Sequence, residues 1–367
     1  SFTVLNGLYH AYSKTTSADI GLRARFATGS VGHTMTLSAA NLEQELGNAY
    51  VASTGRVRSN IYAPSALPAV TGARNAPRKA SEAHNYSIAV ADTLSFAQDR
   101  LLLTLGVRDQ TVSLDNFNTG TGLKTASYEE SALSPLAGVV FKATNNISLY
   151  GNFTEGLTSG GVAPTTATNA GEVFPPYKSQ QYEAGVKVDW GAFMTTASVF
   201  QISRPNSMTD PATNVFSYDG EQRNRGVELA AYGEPMRGLR LMGGVTFNDA
   251  KVTRAVQYEG NDAFGVPDAN VSLGADWDVP GVQGLSLNGR VIYTGSQYAS
   301  NANTVSVPSW TRYDIGARYR TNVSGKGLVL RASIENLTDE NVWLVSSNNY
   351  LTVSAPRTFV LSATMDF

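Results

Sequence analysis

Hydrophobic and polar residues alternate with a period of two along most of this chain. In the last segment one phase is apolar, while the residues between are mostly polar. The apolar phase consists of Phe359, Leu361, Ala363, Met365 and Phe367. Period two predicts a β-strand with one apolar and one polar face. About fifteen such segments occur, residues 1–9 are one further candidate, and no helical periodicity is sustained.

Segment length separates two kinds of all-β protein. The alternating segments are about 10–14 residues long, whereas strands of soluble proteins average about 5–6 residues. A tilted strand that spans a membrane needs about 9–11 residues. Length therefore favours a transmembrane barrel over a soluble sandwich.

The connections between these segments alternate between long and short. The long connections fall at residues 45–81, 116–130, 158–178, 204–221, 253–266, 298–307 and 338–355. The short ones fall at residues 28–32, 97–99, 144–146, 191, 233–236, 279–283 and 321–326. Outer-membrane barrels have short periplasmic turns and longer extracellular loops. We therefore predict an all-β fold: an antiparallel transmembrane β-barrel of about 15–16 strands, with the apolar phase facing lipid and the polar phase facing the lumen.

Composition narrows the classes of function. The net charge is −2 and 16% of the residues are charged, against roughly 25% in soluble domains, so no strong field favours nucleic acid as a partner. Cysteine is absent, which excludes disulfides, cysteine-ligated metals and thiol catalysis. No run approaches the roughly 18 apolar residues that a membrane helix needs. No cofactor and no resident metal are expected.

Four segments carry recognisable motifs in a fixed order. They are SQQYEAGVKVDW (179–190), GEQRNRGVELAAYGEP (220–235), IENLTDENVW (334–343) and PRTFVLSATMDF (356–367). In this order they resemble the C-terminal part of TonB-dependent outer-membrane receptors, in particular the ferric-siderophore branch. The resemblance is clear from about residue 130 onward, and before that point it follows the strand pattern.

The same motifs also have physical interpretations. Glu183 and Lys187 share the inward phase, and each is expected to pair with charges on neighbouring strands. Asn336 and Asp339 suit a tight turn, in which short polar side chains bond nearby backbone. Pro356 can begin a strand without the loss of a ladder hydrogen bond. We interpret these residues as scaffold rather than as ligand contacts.

The resemblance implies a receptor barrel of 22 strands whose lumen is filled by a separate N-terminal plug domain that contacts TonB, the inner-membrane energy coupler. Residues 1–367 are then the C-terminal portion of the barrel, and the plug domain and first strands are absent from this sequence. The implied function is TonB-energised uptake of a ferric siderophore at the bacterial outer membrane, without catalysis. The terminal Phe367 resembles the signal that the barrel assembly machinery reads.

By the same resemblance, ligand contacts are expected from aromatic side chains of the extracellular loops. An aromatic ring can pack the organic shell of a siderophore and keep a wet edge. The candidates are Tyr50, Phe174, Tyr177, Tyr218, Tyr298, Trp343 and Tyr350. Arg204 and Arg223, at the two ends of the predicted 204–221 loop, are either anion contacts or solvated loop charges.

Three alternatives are also compatible with the sequence. A passive porin shares the barrel and the polar interior, although the inward arginines of this chain are spread out instead of forming a constriction. An outer-membrane hydrolase needs a nucleophile activated by a positioned base, usually His. His10 and His84 lie in or beside predicted loops, and His33 has the outward phase. A soluble all-β binding protein predicts shorter strands and polar outer faces.

Overall fold

The computed structural model describes residues 2–59, 65–73, 75–347 and 350–365. Its main feature is one antiparallel sheet of fifteen strands, in which each strand pairs with its neighbours in chain order. These strands are β2 (Gly7–Thr28), β3 (Val31–Ala52), β5 (Arg78–Phe96), β6 (Leu101–Phe117), β7 (Lys124–Lys142), β8 (Ile147–Thr158), β11 (Tyr177–Asp189), β12 (Phe193–Thr209), β13 (Phe216–Met236), β14 (Leu239–Arg254), β15 (Ala269–Asp278), β16 (Leu285–Thr294), β19 (Trp310–Val323), β20 (Lys326–Glu335) and β23 (Thr358–Met365).

Eight short strands form four separate antiparallel pairs. They are β1 (Phe2–Val4) with β4 (Val57–Ser59), β9 (Gly161–Val162) with β10 (Val173–Phe174), β17 (Gln297–Tyr298) with β18 (Ser306–Val307), and β21 (Trp343–Ser347) with β22 (Tyr350–Val353). Among the described residues, no helix is long and apolar enough to cross a membrane.

The number of strands agrees with the prediction, with one difference near the N-terminal end. Residues 1–9 do not add a further strand to the sheet, because Phe2–Val4 pairs instead with Val57–Ser59 in the connection after β3. The first strand of the sheet begins at Gly7. That candidate strand was therefore wrong.

The strands of the sheet are longer than the alternating segments that predicted them. β2 and β3 contain 22 residues each. As a result, the predicted loops 116–130 and 204–221 shrink to residues 118–123 and 210–215. Beyond the apolar band both faces of a strand are mostly polar, so the hydrophobic alternation is lost while the ladder of hydrogen bonds continues.

Short turns join the strands at one end of the sheet, and the longer connections lie at the other, as predicted. The turns at residues 29–30 and 324–325 contain two residues each. Gly29 and Gly325 have φ angles of 62° and 79°. Glycine adopts this left-handed region without steric cost, which allows such tight hairpins.

The two faces of the sheet differ in polarity. Leu229, Val245 and Val271 stand directly opposite one another on three neighbouring strands, so their side chains share the apolar face. The other face carries charges, and Arg240 bonds Asp276 across 2.6 Å. The prediction that the polar phase lines the interior and the apolar phase faces outward is thus confirmed by the register.

Aromatic residues mark both edges of the outward apolar band. Trp277 lies near the turn end of β15, and Phe247 stands opposite Ala269 at the other end of that strand. From Trp277 to Ala269 is eight residues (277 − 269). At about 3.3 Å per residue and a tilt near 40° they span a height of about 20 Å. Barrels of this type carry an apolar band about 25 Å tall between aromatic girdles, so the dimensions agree.

β2 and β23 form the two edges of the sheet, and within the described residues neither has a partner on its outer side. Ile20 on β2 is 73% exposed and Leu361 on β23 is 82% exposed, against 46% for Leu229 inside the sheet. The difference arises because lateral neighbours cover the inner strands from both sides. Both edges therefore present unpaired backbone groups.

One polar pair lies on the outward face near the turn end of β3. His33 Nδ1 lies 2.7 Å from Asp92 Oδ2, and the His33 ring stacks on Phe26 with centroids 4.6 Å apart. Met35 stands directly opposite Asp92, so the carboxylate belongs to the outward phase. The outward direction predicted for His33 is confirmed. Asp92 satisfies a polar ring that would otherwise face lipid alone.

The assignment of faces predicts different costs for substitutions on the two sides of a strand. Leu241→Arg or Leu287→Arg places a charge on the lipid face, and each should lower the free energy of unfolding by about 2–4 kcal/mol. Arg290→Leu should cost less, because it removes only lumenal hydrogen bonds to Ser272 Oγ, the shorter at 3.1 Å. Urea titration of the protein folded in detergent micelles measures all three. Equal costs on both faces would contradict the assignment.

The outward pair gives a second prediction. His33→Leu leaves the Asp92 carboxylate without its partner, and should cost about 1–3 kcal/mol, as for a polar group left unsatisfied. The double variant, His33→Leu with Asp92→Leu, should recover most of this loss because both polar groups are gone. The same urea titration applies. A double variant less stable than the single one would show that the pair is not the source of the cost.

Candidate ligand-binding site

Four aromatic rings form one cluster at the long-loop end of the sheet. The Tyr218 ring centroid lies 5.4 Å from those of Phe174 and Phe216 and 5.2 Å from that of Tyr177. These separations and tilts are favourable for aromatic pairs. Tyr177 shares the inward phase of Glu183 on β11. This aromatic cluster of Phe174, Tyr177, Phe216 and Tyr218 therefore lies at the mouth of the lumen.

A buried tyrosine supports the loop that covers the cluster. Tyr128 Oη accepts a hydrogen bond of 2.9 Å from the backbone N–H of Gly160, and Tyr128 is 5% exposed. Gly161 has a φ of 103°, and a Cβ there would approach Tyr218 Oη to 2.7 Å. Only glycine fits at this position without a shift of the loop or of the ring.

The hydroxyl groups of Tyr218 and Tyr128 stay protonated at physiological pH. Burial raises the pKa of Tyr218, and the neighbouring hydroxyls of Tyr177 and Tyr128 raise it further. Burial also raises the pKa of Tyr128, and the hydrogen bond from Gly160 opposes this effect more weakly. A neutral phenol can both donate and accept a hydrogen bond, which suits contact with an oxygen-rich ligand.

The side chain of Asn169 holds the loop after β8 in place through two hydrogen bonds to Phe216. Asn169 Nδ2 donates to Phe216 O across 2.9 Å, and Asn169 Oδ1 accepts from the Phe216 N–H, also across 2.9 Å. The N–H of Thr168 donates to Asn214 O across 2.8 Å. These bonds join the loops after β8 and β12, so contacts within the protein hold the aromatic cluster together.

The cluster combines predicted residues with others that the sequence did not single out. Phe174, Tyr177 and Tyr218 were predicted as contacts, and the structure brings them together. Phe216, two residues before Tyr218, was missed. Tyr128 was missed because it fell inside a predicted loop that is part of strand β7. Continuing the period-two phase of β7 beyond the apolar band would have indicated Tyr128, whereas Phe216 lies beyond an irregularity in the register between β12 and β13.

Three further predicted contacts lie in a second group of loops, after β14, β16 and β20. Tyr298 belongs to β17, Trp343 to β21 and Tyr350 to β22. This group is also held by side chains: the N–H of Asp262 donates to Asn303 Oδ1 across 2.8 Å. No ring contact between described residues joins these three aromatic side chains to the aromatic cluster.

Tyr50 is separate from both groups. It stands directly opposite Tyr9 on the inward phase of β2 and β3, at the edge of the sheet. The Tyr50 ring packs over Gly7, where an added Cβ would come within 2.6 Å of it. The partner Tyr9 was not singled out from the sequence, although it has the same phase and type.

Arg204 and Arg223, expected at the two ends of one loop, point to opposite faces of the sheet. Both lie inside strands, because the predicted loop between them is shorter than expected. Arg204 stands opposite Gln222 on the inward phase, whereas Arg223 shares the outward phase of Val227. The expectation that the two arginines stand at the two ends of one long loop is therefore wrong.

Glu183 and Lys187, from the motif at residues 179–190, both contact the side chain of Tyr150. Tyr150 Oη donates to Glu183 Oε1 across 2.5 Å, and Lys187 Nζ lies 5.0 Å from the centroid of the Tyr150 ring. Gly185, directly opposite Tyr150, leaves the space that the ring occupies. The prediction that Glu183 and Lys187 pair with charges on neighbouring strands is wrong in the described part of the chain.

The predicted turn at Asn336 and Asp339 is present. Their φ angles are 53° and 58°. Asn336 Nδ2 donates to Glu340 O (2.9 Å) and Ala355 O (3.1 Å), and Asp339 Oδ1 accepts from the N–H of Arg357 (2.8 Å). These bonds close the base of the last long loop.

Two further expectations concern metals and the end of the chain. In the described ranges, no group of three or more His, Asp or Glu side chains is placed to hold a metal ion. Phe367, the predicted assembly signal, lies outside the described residues.

Comparison with known proteins identifies a matching family and several similar proteins. A family model described as "TonB dependent receptor-like, beta-barrel" matches residues 2–337. The chain is 37% identical over 377 aligned residues to the ferrichrome receptor FcuA of Yersinia enterocolitica, covering 99% of this chain and 50% of that protein. It is 29% identical over 373 residues to the ferrichrome outer membrane transporter/phage receptor of Escherichia coli K12, covering 96% and 48%.

A solved structure gives the same result for the fold. The crystal structure of BauA, the ferric preacinetobactin receptor from Acinetobacter baumannii, is similar with a TM-score of 0.84 and 38% identity. The match covers 100% of this chain and 56% of BauA. The chain thus spans about half the length of the curated relatives that it matches.

The contact between Asp339 and Arg357 at the base of the last long loop should be lost at acid pH. The N–H and guanidinium of Arg357 hold the pKa of Asp339 below its usual range, so this contact stabilises the loop above the ordinary carboxyl pKa and is lost as pH falls through the lowered value. We expect Asp339→Asn to reduce hydrogen-exchange protection of residues 336–357 at pH 7. The difference from the unchanged protein should vanish at the most acid pH.

Asp219→Asn, on β13 away from this loop, is the matched control and should leave the protection of residues 336–357 unchanged. A difference for Asp339→Asn that persists without change down to pH 2 would contradict a role for the ionised carboxylate.

Proposed function

The chain belongs to the TonB-dependent receptor-like β-barrel family, and we propose that the protein takes up a ferric siderophore across the bacterial outer membrane. Proteins of this family are outer-membrane transport receptors rather than enzymes, so the hydrolase and soluble alternatives are set aside. Two relatives are named as ferrichrome receptors. Ferrichrome is therefore the first ligand to test.

The observation that carries this proposal is the aromatic cluster at the mouth. Tyr177 and Tyr218 stack on the inward side, and Phe174 and Phe216 close the cluster from its edges. Such rings pack organic surface, while protonated tyrosine hydroxyls remain available to polar groups of a ligand. Because the hydrogen bonds of Asn169 fix the surrounding loops, little further conformational entropy is lost when a ligand binds.

The proposal includes a larger barrel than the fifteen strands of this sheet. The edge residues Ile20 and Leu361 are far more exposed than lipid-facing residues within the sheet. An open sheet edge in lipid leaves unsatisfied backbone groups, each at a cost of several kcal/mol. Further strands are proposed to join β2 and β23 in a barrel of 22 strands, with an N-terminal plug domain through which TonB acts. The half-length coverage of the relatives supports this arrangement.

A ligand-binding experiment tests the cluster. In the full-length protein purified from outer membranes, Tyr218→Ala should weaken ferrichrome binding by about tenfold or more, because truncation removes a central aromatic anchor. Tyr218→Phe should weaken it less, since the ring remains. Tyr258→Ala, at an exposed loop position, is the matched control. Isothermal titration calorimetry gives the three affinities.

An uptake experiment tests the transport function. Cells with the full-length protein should accumulate iron-labelled ferrichrome only while the inner membrane is energised. Uptake that continues after a protonophore is added would favour the porin alternative. Absence of both binding and uptake would reject ferrichrome, and a panel of other ferric siderophores would then decide the cargo.

The last residue is proposed to direct assembly of the barrel. In the sequence, Phe367 continues the alternation of Phe359, Leu361, Ala363 and Met365, and we propose that it belongs to an aromatic girdle. Phe367→Ala should lower the amount of folded protein in outer membranes, measured by surface labelling and heat-modifiable mobility on gels. Leu351→Ala, in an exposed loop strand, is the control. Equal amounts for both variants would remove this role.

A further inference from the structure

The inward face of the sheet differs in character between β3 and β5 and the later strands. From residue 85 to residue 95 of β5, the inward side chains are all short and uncharged: Asn85, Ser87, Ala89, Ala91, Thr93 and Ser95. On β3, Ser38 and Thr36 stand directly opposite Ala89 and Ala91. Because such side chains project little into the lumen, this inward face of β3 and β5 forms a smooth wall.

The inward face of β14 to β19 is charged instead. Asp276 accepts hydrogen bonds from Arg240 across 2.6 Å and from Arg318 across 2.9 Å, and Arg312 Nε donates to Asp314 Oδ1 across 2.7 Å. A guanidinium has five N–H donors, so these groups keep capacity for further partners. Charge-assisted hydrogen bonds are roughly twice as strong as neutral ones. A plug domain in the lumen is therefore held more firmly at these strands than at the smooth wall.

Two arginines border the smooth wall, one on each side. Arg108 on β6 stands directly opposite Ala89, and its Nη1 donates to Ser87 Oγ across 3.3 Å. Arg23 on β2 stands directly opposite Thr36. In the part of the chain that the structure describes, the ion pairs within 4.0 Å include neither arginine. Their donors are therefore available to a ligand.

The strands on either side of Arg108 each carry a polar atom without a partner. Ser134 on β7 stands directly opposite Arg108 on the inward phase and is 6% exposed. Among the described residues, neither Ser134 Oγ nor Asn85 Oδ1 on β5 has a hydrogen-bond partner. Buried polar atoms are normally hydrogen-bonded, so both atoms point to a polar partner on the lumenal side.

Arg108 lies between the mouth of the lumen and the turn end of the sheet. Its neighbour Ser134 is six residues (134 − 128) nearer the turn end than Tyr128, which supports the loop over the aromatic cluster. At about 3.3 Å per residue, this separation is about 20 Å along the strand. Gly106, directly opposite Ala91, continues the uncharged surface toward the turns. The smooth wall therefore leads from the mouth toward the periplasmic end.

We propose that the ferric complex crosses the barrel along the smooth wall, and that Arg108 contacts it between the mouth and the periplasmic turns. This inference rests on the proposed transport function. A guanidinium carries only donors, so the ligand atoms that Arg108 contacts are oxygen acceptors, such as those of hydroxamates or carboxylates. Because the plug domain is held more firmly at the charged strands, its displacement opens the lumen on the side of β3 and β5.

Separate measurements of binding and uptake in cells with the full-length protein test this passage. Arg108→Gln and Ala89→Trp should bind ferrichrome at the cell surface with unchanged affinity, because the aromatic cluster is intact, and should lose most of the energised uptake. Arg108→Lys keeps the cation and should retain more uptake than Arg108→Gln. Val90→Trp makes the same change as Ala89→Trp on the lipid-facing side of β5, and should leave both binding and uptake unchanged.

Labelling of introduced thiols tests which side of the lumen opens. The chain contains no cysteine, so the thiol of Ala91→Cys can be followed with a hydrophilic maleimide. Its labelling should be faster in energised cells supplied with ferrichrome than after a protonophore is added. Ala230→Cys, on the inward face of β13, is the matched control and should be labelled at the same rate in both conditions.

Several results would overturn the passage while leaving the transport function in place. They are normal uptake by Arg108→Gln and Ala89→Trp, an equal loss in Val90→Trp, and equal acceleration of labelling at both introduced thiols or at neither. A parallel loss of binding and uptake would also overturn it, because the variants would then affect capture or folding. If the unchanged full-length protein takes up no ferric siderophore, the proposed function itself fails.

Discussion

Hydrogen bonding between neighbouring strands is the constraint on which this structure depends. A lipid bilayer offers no water to satisfy a backbone N–H or C=O, so each strand that crosses it needs a partner on both sides. The fifteen strands meet this need by pairing with their neighbours in chain order. The high exposure of Ile20 and Leu361 shows where the need is unmet within the described sheet. Two-sided pairing is therefore the physical reason for a closed barrel.

The same constraint gives the sheet one polar face and one apolar face. Side chains of a strand alternate in direction, so a polar interior and an apolar exterior arise from a single ladder. Inside, Arg240 and Asp276 balance one another. Outside, the few polar residues are either paired, as His33 and Asp92 are, or lie at the upper boundary of the apolar band, as Arg225 does. A hydrogen-bond partner of this kind lowers the cost of placing a polar side chain on the lipid-facing side.

At the mouth of the lumen, contacts between loops stabilise the structure in addition to strand pairing. There the strands rise beyond the apolar band, and loops pack on one another through side chains. Tyr128 supports Gly160, and Asn169 holds Phe216 at both of its backbone groups. The aromatic cluster is therefore held by contacts within the protein, which limits the entropy lost on ligand binding. Such preorganisation suits the proposed capture of a scarce ligand.

Sequence alone determined the fold class, the number of strands, the direction of each face and the end at which the long loops lie. Each of these follows from the period-two hydropathy that lipid imposes on one side of every strand. Sequence did not determine how far β2 and β3 extend, because beyond the bilayer both faces are wet and the pattern disappears. It also missed that Glu183 meets Tyr150 and that Arg204 and Arg223 point apart. Only the tertiary structure decided those contacts, because they depend on the register between strands and on the packing of loops far apart in the chain.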